Sequence, residues 1–132
     1  MIDLVGKIWA LPCTLLGLSY GLIEVLLGAK VSIQHNAICF EESRLVRSYS
    51  AFTLGNTIHC ASPLTTLAPT YSTRGLEDPT IVTLGYHEEG HTYQYQKYGI
   101  FFFLIWAFNG GPTASNYLER DADQYALSKE KQ

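Results

Sequence analysis

The sequence His87-Glu88-Glu89-Gly90-His91 predicts a helix, because the four-residue spacing of its two histidines brings them together only in that conformation. Residues four apart on a helix lie about one turn apart on the same face, so both histidines can reach one metal ion. Zinc accepts neutral imidazole nitrogen and keeps a position open for water in catalytic sites. A glutamate beside the first histidine can take a proton from that water. The stretch therefore predicts two zinc ligands, His87 and His91, and a general base, Glu88.

A zinc site of this kind needs a third protein ligand. The acidic candidates downstream are Glu119, Asp121 and Asp123, all within a predicted final helix. Glu119 and Asp123 are four residues apart and share a face, whereas Asp121 points elsewhere. One of the two carboxylates can bind the metal while the other accepts a hydrogen bond from a ligand histidine.

The HExxH motif followed by a helix with Glu-x-x-x-Asp resembles the gluzincin metallopeptidases. In that family the glutamate is the third zinc ligand and the aspartate orients a histidine, so the resemblance implies these roles for Glu119 and Asp123. The separation from His91 to Glu119 is 119 − 91 = 28 residues, longer than in the best known gluzincins. Residues 100–112 fill the extra length. The resemblance implies a small zincin-like domain that hydrolyses peptide bonds.

A narrower resemblance involves residues 87–96 (HEEGHTYQYQ), preceded by TLGNTI at 53–58. These segments are similar to small bacterial metallopeptidase-like domains, over roughly residues 30–126 of this chain. Some of those domains are toxins carried on type VI secretion spike proteins or on polymorphic toxins. The resemblance implies a bacterial protein and raises the hypothesis of an exported antibacterial effector, delivered to the periplasm of a target cell, with an immunity or secretion partner.

The length suits one domain over residues 1–132, and the order of the predicted elements favours an α+β fold. Only 16% of the residues are charged, which indicates a large buried fraction, an apolar surface, or contact with a partner or membrane. The net charge is −3 and the basic residues are scattered, so nucleic acid is not an expected partner. Cys13, Cys39 and Cys60 lack CxxC spacing and are expected to be buried free thiols, with one disulfide left open.

Residues 8–28 are largely apolar and end at Gly28, which predicts one helix or a pair broken at Pro12. A buried core helix is the favoured interpretation. A membrane-associated helix and a signal segment are the alternatives, although no clean cleavage site for a signal peptide follows.

A small antiparallel sheet is predicted next. Residues 30–40 alternate apolar and polar side chains, with a turn near His35-Asn36. Residues 48–60 form a second β region with a turn or bulge at Gly55-Asn56. This region is also the candidate for an edge strand that holds a peptide through backbone hydrogen bonds. Residues 61–80 are predicted to form a long loop.

The motif helix is predicted from about Pro79 to Tyr98, with Gly99 as its stop, and the final helix from about Ala114 to Ser128. Thr113 and Ser115 are the candidate N-caps of the final helix. Between the helices lie the nine apolar residues 100–108, too few to cross a bilayer. They are either a buried connection or an exposed patch that binds a membrane, an immunity partner or an apolar substrate.

Other polar residues near the motif have weaker predictions. Three side chains are candidates to stabilise a transition state, namely His59, Tyr117 and Tyr125. Gln94 shares the helical face of His87 and is a candidate to bind a ligand residue or the substrate. Glu89 points away from that face and is expected to be solvated.

Two other classes of protein compete with the peptidase hypothesis. One is a non-catalytic, zincin-shaped module that docks a protein partner or membrane through an apolar patch. The other is a small membrane-associated protein anchored by residues 8–28. The low charge and residues 100–108 favour the binding module, and metal content with an open coordination position would discriminate it from the enzyme.

Overall fold

In a computed structural model that describes residues 4–48 and 50–132, helices pack on two small sheets, which confirms the α+β class. The helices are α1 (Leu4–Trp9), α2 (Leu11–Leu26), α3 (Leu84–Tyr98), α4 (Phe102–Phe108) and α5 (Tyr117–Glu130), with a 3-10 turn at Gly99–Phe101. The strands are β1 (Lys30–Gln34), β2 (Ala37–Glu41), β3 (Ala51–Leu54), β4 (Thr57–Cys60), β5 (Leu67–Pro69) and β6 (Ile81–Thr83). Residues 1–3 of the predicted domain and Tyr49 of the predicted β region lie outside the described residues.

The N-terminal apolar segment is a pair of helices, α1 and α2, with Pro12 in the first turn of α2. A proline is tolerated there because its missing N–H would have no partner within the helix. Gly21 lets α2 lie close to the sheet, since a Cβ at Gly21 would meet the Phe40 ring at 2.2 Å. The opposite face exposes large apolar side chains such as Leu16 and Leu26. The favoured prediction of a buried core helix is therefore wrong for that face.

Among the helices of the described chain, none combines the length and the apolar character needed to cross a bilayer.

The larger sheet has the strand order β1-β2-β4-β3 and is mixed, which corrects the prediction of a purely antiparallel sheet. Antiparallel hairpins join β1 to β2 and β3 to β4, with turns at His35-Asn36 and Gly55-Asn56 as predicted. The chain after β2 crosses to the far edge before β3 begins, so that β4 returns beside β2 in the same direction. This crossing makes β3 an edge strand.

The smaller sheet is a pair of strands that sequence patterns did not predict. Strand β5 lies within the predicted loop 61–80, and β6 takes Ile81–Thr83 out of the predicted start of the motif helix. The two strands pair antiparallel, with Leu67 opposite Thr83. Helix α3 therefore begins at Leu84 rather than near Pro79. Isoleucine, valine and threonine in succession favour a strand over a helical first turn.

The C-terminal elements differ from the prediction at two places. Asn116 caps α5 by accepting a hydrogen bond from the Leu118 amide (3.0 Å), whereas Thr113 and Ser115 bond to each other (3.0 Å). The predicted caps are therefore wrong. Within residues 99–108, Phe102 is buried in a core cluster, while large side chains such as Phe108 are exposed. The interpretation of this segment as a buried connection is therefore wrong for its outer face.

The three cysteines, Cys13, Cys39 and Cys60, are free and buried. The prediction of buried free thiols is confirmed.

Candidate metal centre

Helices α3 and α5 cross closely at Gly90, and this crossing brings the polar side chains of the two helices together. A Cβ added to Gly90 would lie 3.0 Å from the Ala122 Cα, so the two backbones approach as near as a glycine allows. Glu119 and Asp123 flank Ala122 on α5, and the crossing points both carboxylates at the HExxH face of α3. Five polar side chains of the site are at least nine-tenths buried: His87, Glu88, His91, Glu119 and Asp123. Glu119 and Asp123 lie on one face of α5, as predicted, since both contact His87.

His87, His91 and Glu119 bring three ligand atoms to one point. The Nε2 atoms of the two histidines are 3.2 Å apart, and Glu119 Oε2 lies 3.1 Å from His87 Nε2 and 3.2 Å from His91 Nε2. Zinc–nitrogen bonds of roughly 2.0–2.1 Å at tetrahedral angles would set such atoms roughly 3.3 Å apart. The group is therefore able to hold a metal ion of that size.

The outer hydrogen bonds of the histidines fix the tautomers that a metal requires. His87 Nδ1 lies 2.8 Å from Asp123 Oδ1, and an ionised carboxylate only accepts. His91 Nδ1 lies 2.7 Å from Gln94 Oε1, and the Gln94 amide nitrogen donates to the Leu118 carbonyl (2.8 Å). Both Nδ1 atoms therefore carry the proton, and both Nε2 lone pairs face Glu119. The two Nε2 atoms and Glu119 Oε2 are then three hydrogen-bond acceptors in mutual contact. Such a group is stable only with a cation or a shared proton between the atoms.

The electrostatics of the metal-free cluster also favour positive charge at its centre. Burial alone would lower the pKa of His87, but hydrogen bonds to Asp123 and Glu119 raise it to about 10. Burial likewise opposes ionisation of Glu119, but the two histidines and the Trp106 indole hold the pKa of this carboxyl well below its usual range. The site is thus arranged to stabilise a cation beside an ionised carboxylate.

Glu88 lies in the same cavity, 4% exposed, and is held by the edge strand. Thr53 of β3 donates its hydroxyl to Glu88 Oε2 at 2.6 Å. The short distance is typical of a hydroxyl bonded to a carboxylate. Sequence patterns did not identify Thr53, because nothing local to β3 indicates which residue faces α3.

A cavity of about 440 Å³ opens beside the ligand atoms. Its walls are mainly apolar: Ala51, Phe52, Leu54, Tyr95, Phe102, Phe103, Trp106 and Pro112. A second cavity of about 240 Å³ adjoins it, shares His87, Glu88 and Tyr71 with it, and is lined also by Arg74 and Asp123. The His87, His91 and Glu119 group, which could hold a metal ion, thus lies in a cleft with an apolar half and a polar half.

Tyr71 lines both halves of the cleft, and no sequence pattern singles it out within the predicted loop 61–80. Its ring lies 5.7 Å from that of His87, and its backbone amide donates to Asp123 Oδ2 at 2.7 Å. Burial, and then the charge of Glu119, raise the pKa of Tyr71 to about 12. The phenol therefore keeps its proton at neutral pH and can donate a hydrogen bond.

The three side chains proposed from sequence to stabilise a transition state do not line the cleft. Tyr117 lies 3.3 Å from the Tyr98 hydroxyl, and Tyr125 donates to Glu89. His59 is fully buried between two phenylalanine rings, paired with Glu24. Each hydroxyl or ring nitrogen has a partner elsewhere in the fold, so the structure does not bring these three side chains to the cleft.

Glu89 does point away from the ligand face, but it is not solvated as predicted. Its carboxylate is 9% exposed, lies 3.1 Å from His35 Nδ1 and accepts from the Tyr125 hydroxyl. Gln94 contacts a ligand histidine, which is one of the two roles that its helical face predicted.

We compared the chain with protein-family models, with curated proteins and with solved structures, and none of the three comparisons found a match. The function is therefore argued from the geometry of the site.

Proposed function

We propose that this chain is a zinc-dependent peptidase. The observation that carries the proposal is the convergence of His87 Nε2, His91 Nε2 and Glu119 Oε2 within 3.2 Å of one another, beside the buried carboxylate of Glu88. Three protein ligands from nitrogen and oxygen are the set that catalytic zinc sites use.

The three ligand residues would hold the ion, and Asp123 and Gln94 would keep the imidazoles in the required tautomers. Bound zinc supplies Lewis-acid chemistry, polarising a carbonyl group and lowering the pKa of water towards roughly 7. The Glu88 carboxylate takes the proton of the attacking water and delivers it to the departing amine. Tyr71 can donate its phenolic hydrogen to the oxygen on which negative charge develops.

A peptide fits the surroundings of the ligands better than a small polar molecule does. Strand β3 is an edge of its sheet and lines the cavity along its whole length, Ala51–Leu54. An extended peptide can add to such an edge through backbone hydrogen bonds. The apolar half of the cleft then accommodates an apolar side chain of the substrate.

The test is cleavage of a mixed peptide library by zinc-loaded protein, followed by mass spectrometry. We expect Glu88→Gln to bind zinc like wild type while its cleavage rate falls by about 10²–10⁴-fold, the usual contribution of a general base. Glu77→Gln, in the exposed loop before β6, is the matched control and should keep full activity. Undiminished cleavage by Glu88→Gln would contradict the proposed mechanism.

A non-catalytic binding module is the second candidate, favoured by the exposed apolar side chains of α2 and α4. These include Leu15, Leu16, Leu22, Leu26, Leu104 and Phe108. Surfaces of this kind on soluble proteins mark sites of contact with partners or membranes. Wild-type protein that holds zinc but cleaves no peptide in the same library would favour the module over the enzyme.

A further inference from the structure

We propose that Trp106 is the positioning residue of the metal centre, an inference that rests on the proposed function. Its indole N–H donates to Glu119 Oε1 at 2.6 Å, while Glu119 Oε2 faces the two histidines. The two oxygens of one buried carboxylate therefore have different partners.

The indole nitrogen determines which oxygen the metal receives. It is a donor only, so it cannot bind a metal or accept a proton itself, and its acceptor here is Glu119 Oε1. Glu119 is 3% exposed, so water does not compete freely for Oε1. With Oε1 held, the carboxylate presents Oε2 alone, as a monodentate ligand in a fixed orientation. Such outer hydrogen bonds orient metal ligands and tune their affinity.

Trp106 is itself held by the cap of the helix that carries Glu119. The Asn116 side-chain amide donates to the Trp106 carbonyl (3.0 Å) and to the Gly111 carbonyl (2.7 Å), while its oxygen caps α5 at Leu118 (3.0 Å). Asn116 is fully buried. One side chain thus fixes the end of α4 relative to the start of α5, and the distance from indole to carboxylate follows from it.

The contact between Trp106 and Glu119 is made by the segment of chain that connects His91 to Glu119. Residues 99–116 form the 3-10 turn, α4 and the loop before α5. The segment has an exposed apolar outer face and directs the Trp106 N–H inward to Glu119.

The first experiment compares zinc dissociation constants, measured by competition with a chromogenic chelator. Trp106→Phe keeps an aromatic ring but removes the N–H, and we expect zinc binding to weaken by about 10–100-fold. Trp9→Phe is the matched control, because Trp9 packs on Phe101 (6.2 Å between ring centroids) and makes no contact with the ligands. We expect its affinity to equal that of wild type. Equal affinity of Trp106→Phe and wild type would overturn the proposal.

The second experiment observes the indole N–H directly, in metal-free protein labelled with ¹⁵N. The chain has two tryptophans, and the two variants assign their indole resonances. We expect Glu119→Gln to shift the Trp106 resonance and leave that of Trp9 in place, and zinc to shift the Trp106 resonance in wild type. A Trp106 resonance insensitive to Glu119→Gln would overturn the contact itself. If the resonance responds but wild type binds no zinc, the contact stands and the proposed function, with the positioning role derived from it, fails.

Discussion

Asp123 uses both of its carboxylate oxygens, one for the His87 Nδ1 proton (2.8 Å) and one for the Tyr71 amide (2.7 Å). Asparagine offers one acceptor where two donors face it, so either the histidine or the amide would meet an NH₂ group. We therefore expect Asp123→Asn to weaken zinc binding by about 10–100-fold. The measurement is a chelator competition, with Asp121→Asn on the exposed face of α5 as control. An unchanged zinc affinity of Asp123→Asn would contradict the role of Asp123 in orienting the His87 imidazole.

Tyr71 and Tyr117 can be compared directly, because Tyr71 lines the cleft and Tyr117 is one of the three candidates that the sequence offered for the same role. Removing one donor to a developing oxyanion costs about 10²–10³-fold in rate. We expect Tyr71→Phe to lose turnover by that factor while its zinc affinity stays unchanged, since the backbone amide still bonds to Asp123. Tyr117→Phe should be as active as wild type. The reverse pattern in steady-state kinetics would reassign the role.

The crossing of α3 and α5 sets the distances between the ligand atoms, because the two helices carry all three of them. Alanine at Gly90 would place its Cβ 3.0 Å from the backbone of Ala122, so the helices must separate by a few tenths of an ångström. In an exposed helix the same change would stabilise by roughly 1 kcal/mol. Here we expect Gly90→Ala to lower the free energy of unfolding by about 1–3 kcal/mol, as overpacking does, and to weaken zinc binding.

Urea denaturation of metal-free protein measures this effect, and Gln124→Ala, on the exposed face of α5, is the control for helix propensity. A stabilised Gly90→Ala variant with unchanged zinc affinity would show that the crossing tolerates a methyl group.

Sequence patterns predicted the elements that have a strong local signal and missed those that depend on pairing. The motif helix and its stop at Gly99 follow from periodicity and from a glycine with positive φ (56°). Strand β6 was missed because three residues pair only with a distant partner, β5. The cap of α5 was missed because Thr113, Ser115 and Asn116 are all favourable caps, and the choice depends on which one Trp106 and Gly111 engage.

The difference between local patterns and long-range contacts also explains which residues of the candidate site could be predicted from the sequence. His87, His91, Glu119 and Asp123 could be predicted because each pair has helical spacing. Thr53, Tyr71 and Trp106 reach the site from a strand, a loop and an apolar helix, and their contacts span 13 to 52 residues of sequence. No local pattern records such a contact.

Glu89 joins distant parts of the whole molecule, because it bonds to His35 in the β1–β2 turn and to Tyr125 of α5. Burial raises the pKa of Glu89, but the bonds to His35 and Tyr125 lower it more, so the folded-state pKa lies below the reference value of 4.5. Its contribution to stability is therefore complete above pH 4.5 and is lost as pH falls through the folded-state pKa.

We expect Glu89→Gln to be less stable than wild type at neutral pH and to lose less further stability as the pH falls below 4.5. Urea denaturation at a series of pH values, on metal-free protein, measures both quantities. Glu77→Gln, which removes an exposed carboxylate, should follow the wild-type curve. Parallel curves for wild type and Glu89→Gln would contradict the assigned role.

The metal content of the whole protein, as purified, distinguishes a zinc centre from a metal-free cluster of the same residues. Elemental analysis would compare wild type with His91→Ala, both prepared without added metal. The convergence of three buried acceptors predicts about one zinc per chain in wild type and its loss in the variant. If neither protein holds metal and neither binds added zinc, the cluster is a buried histidine–carboxylate network and the chain is not a zinc peptidase.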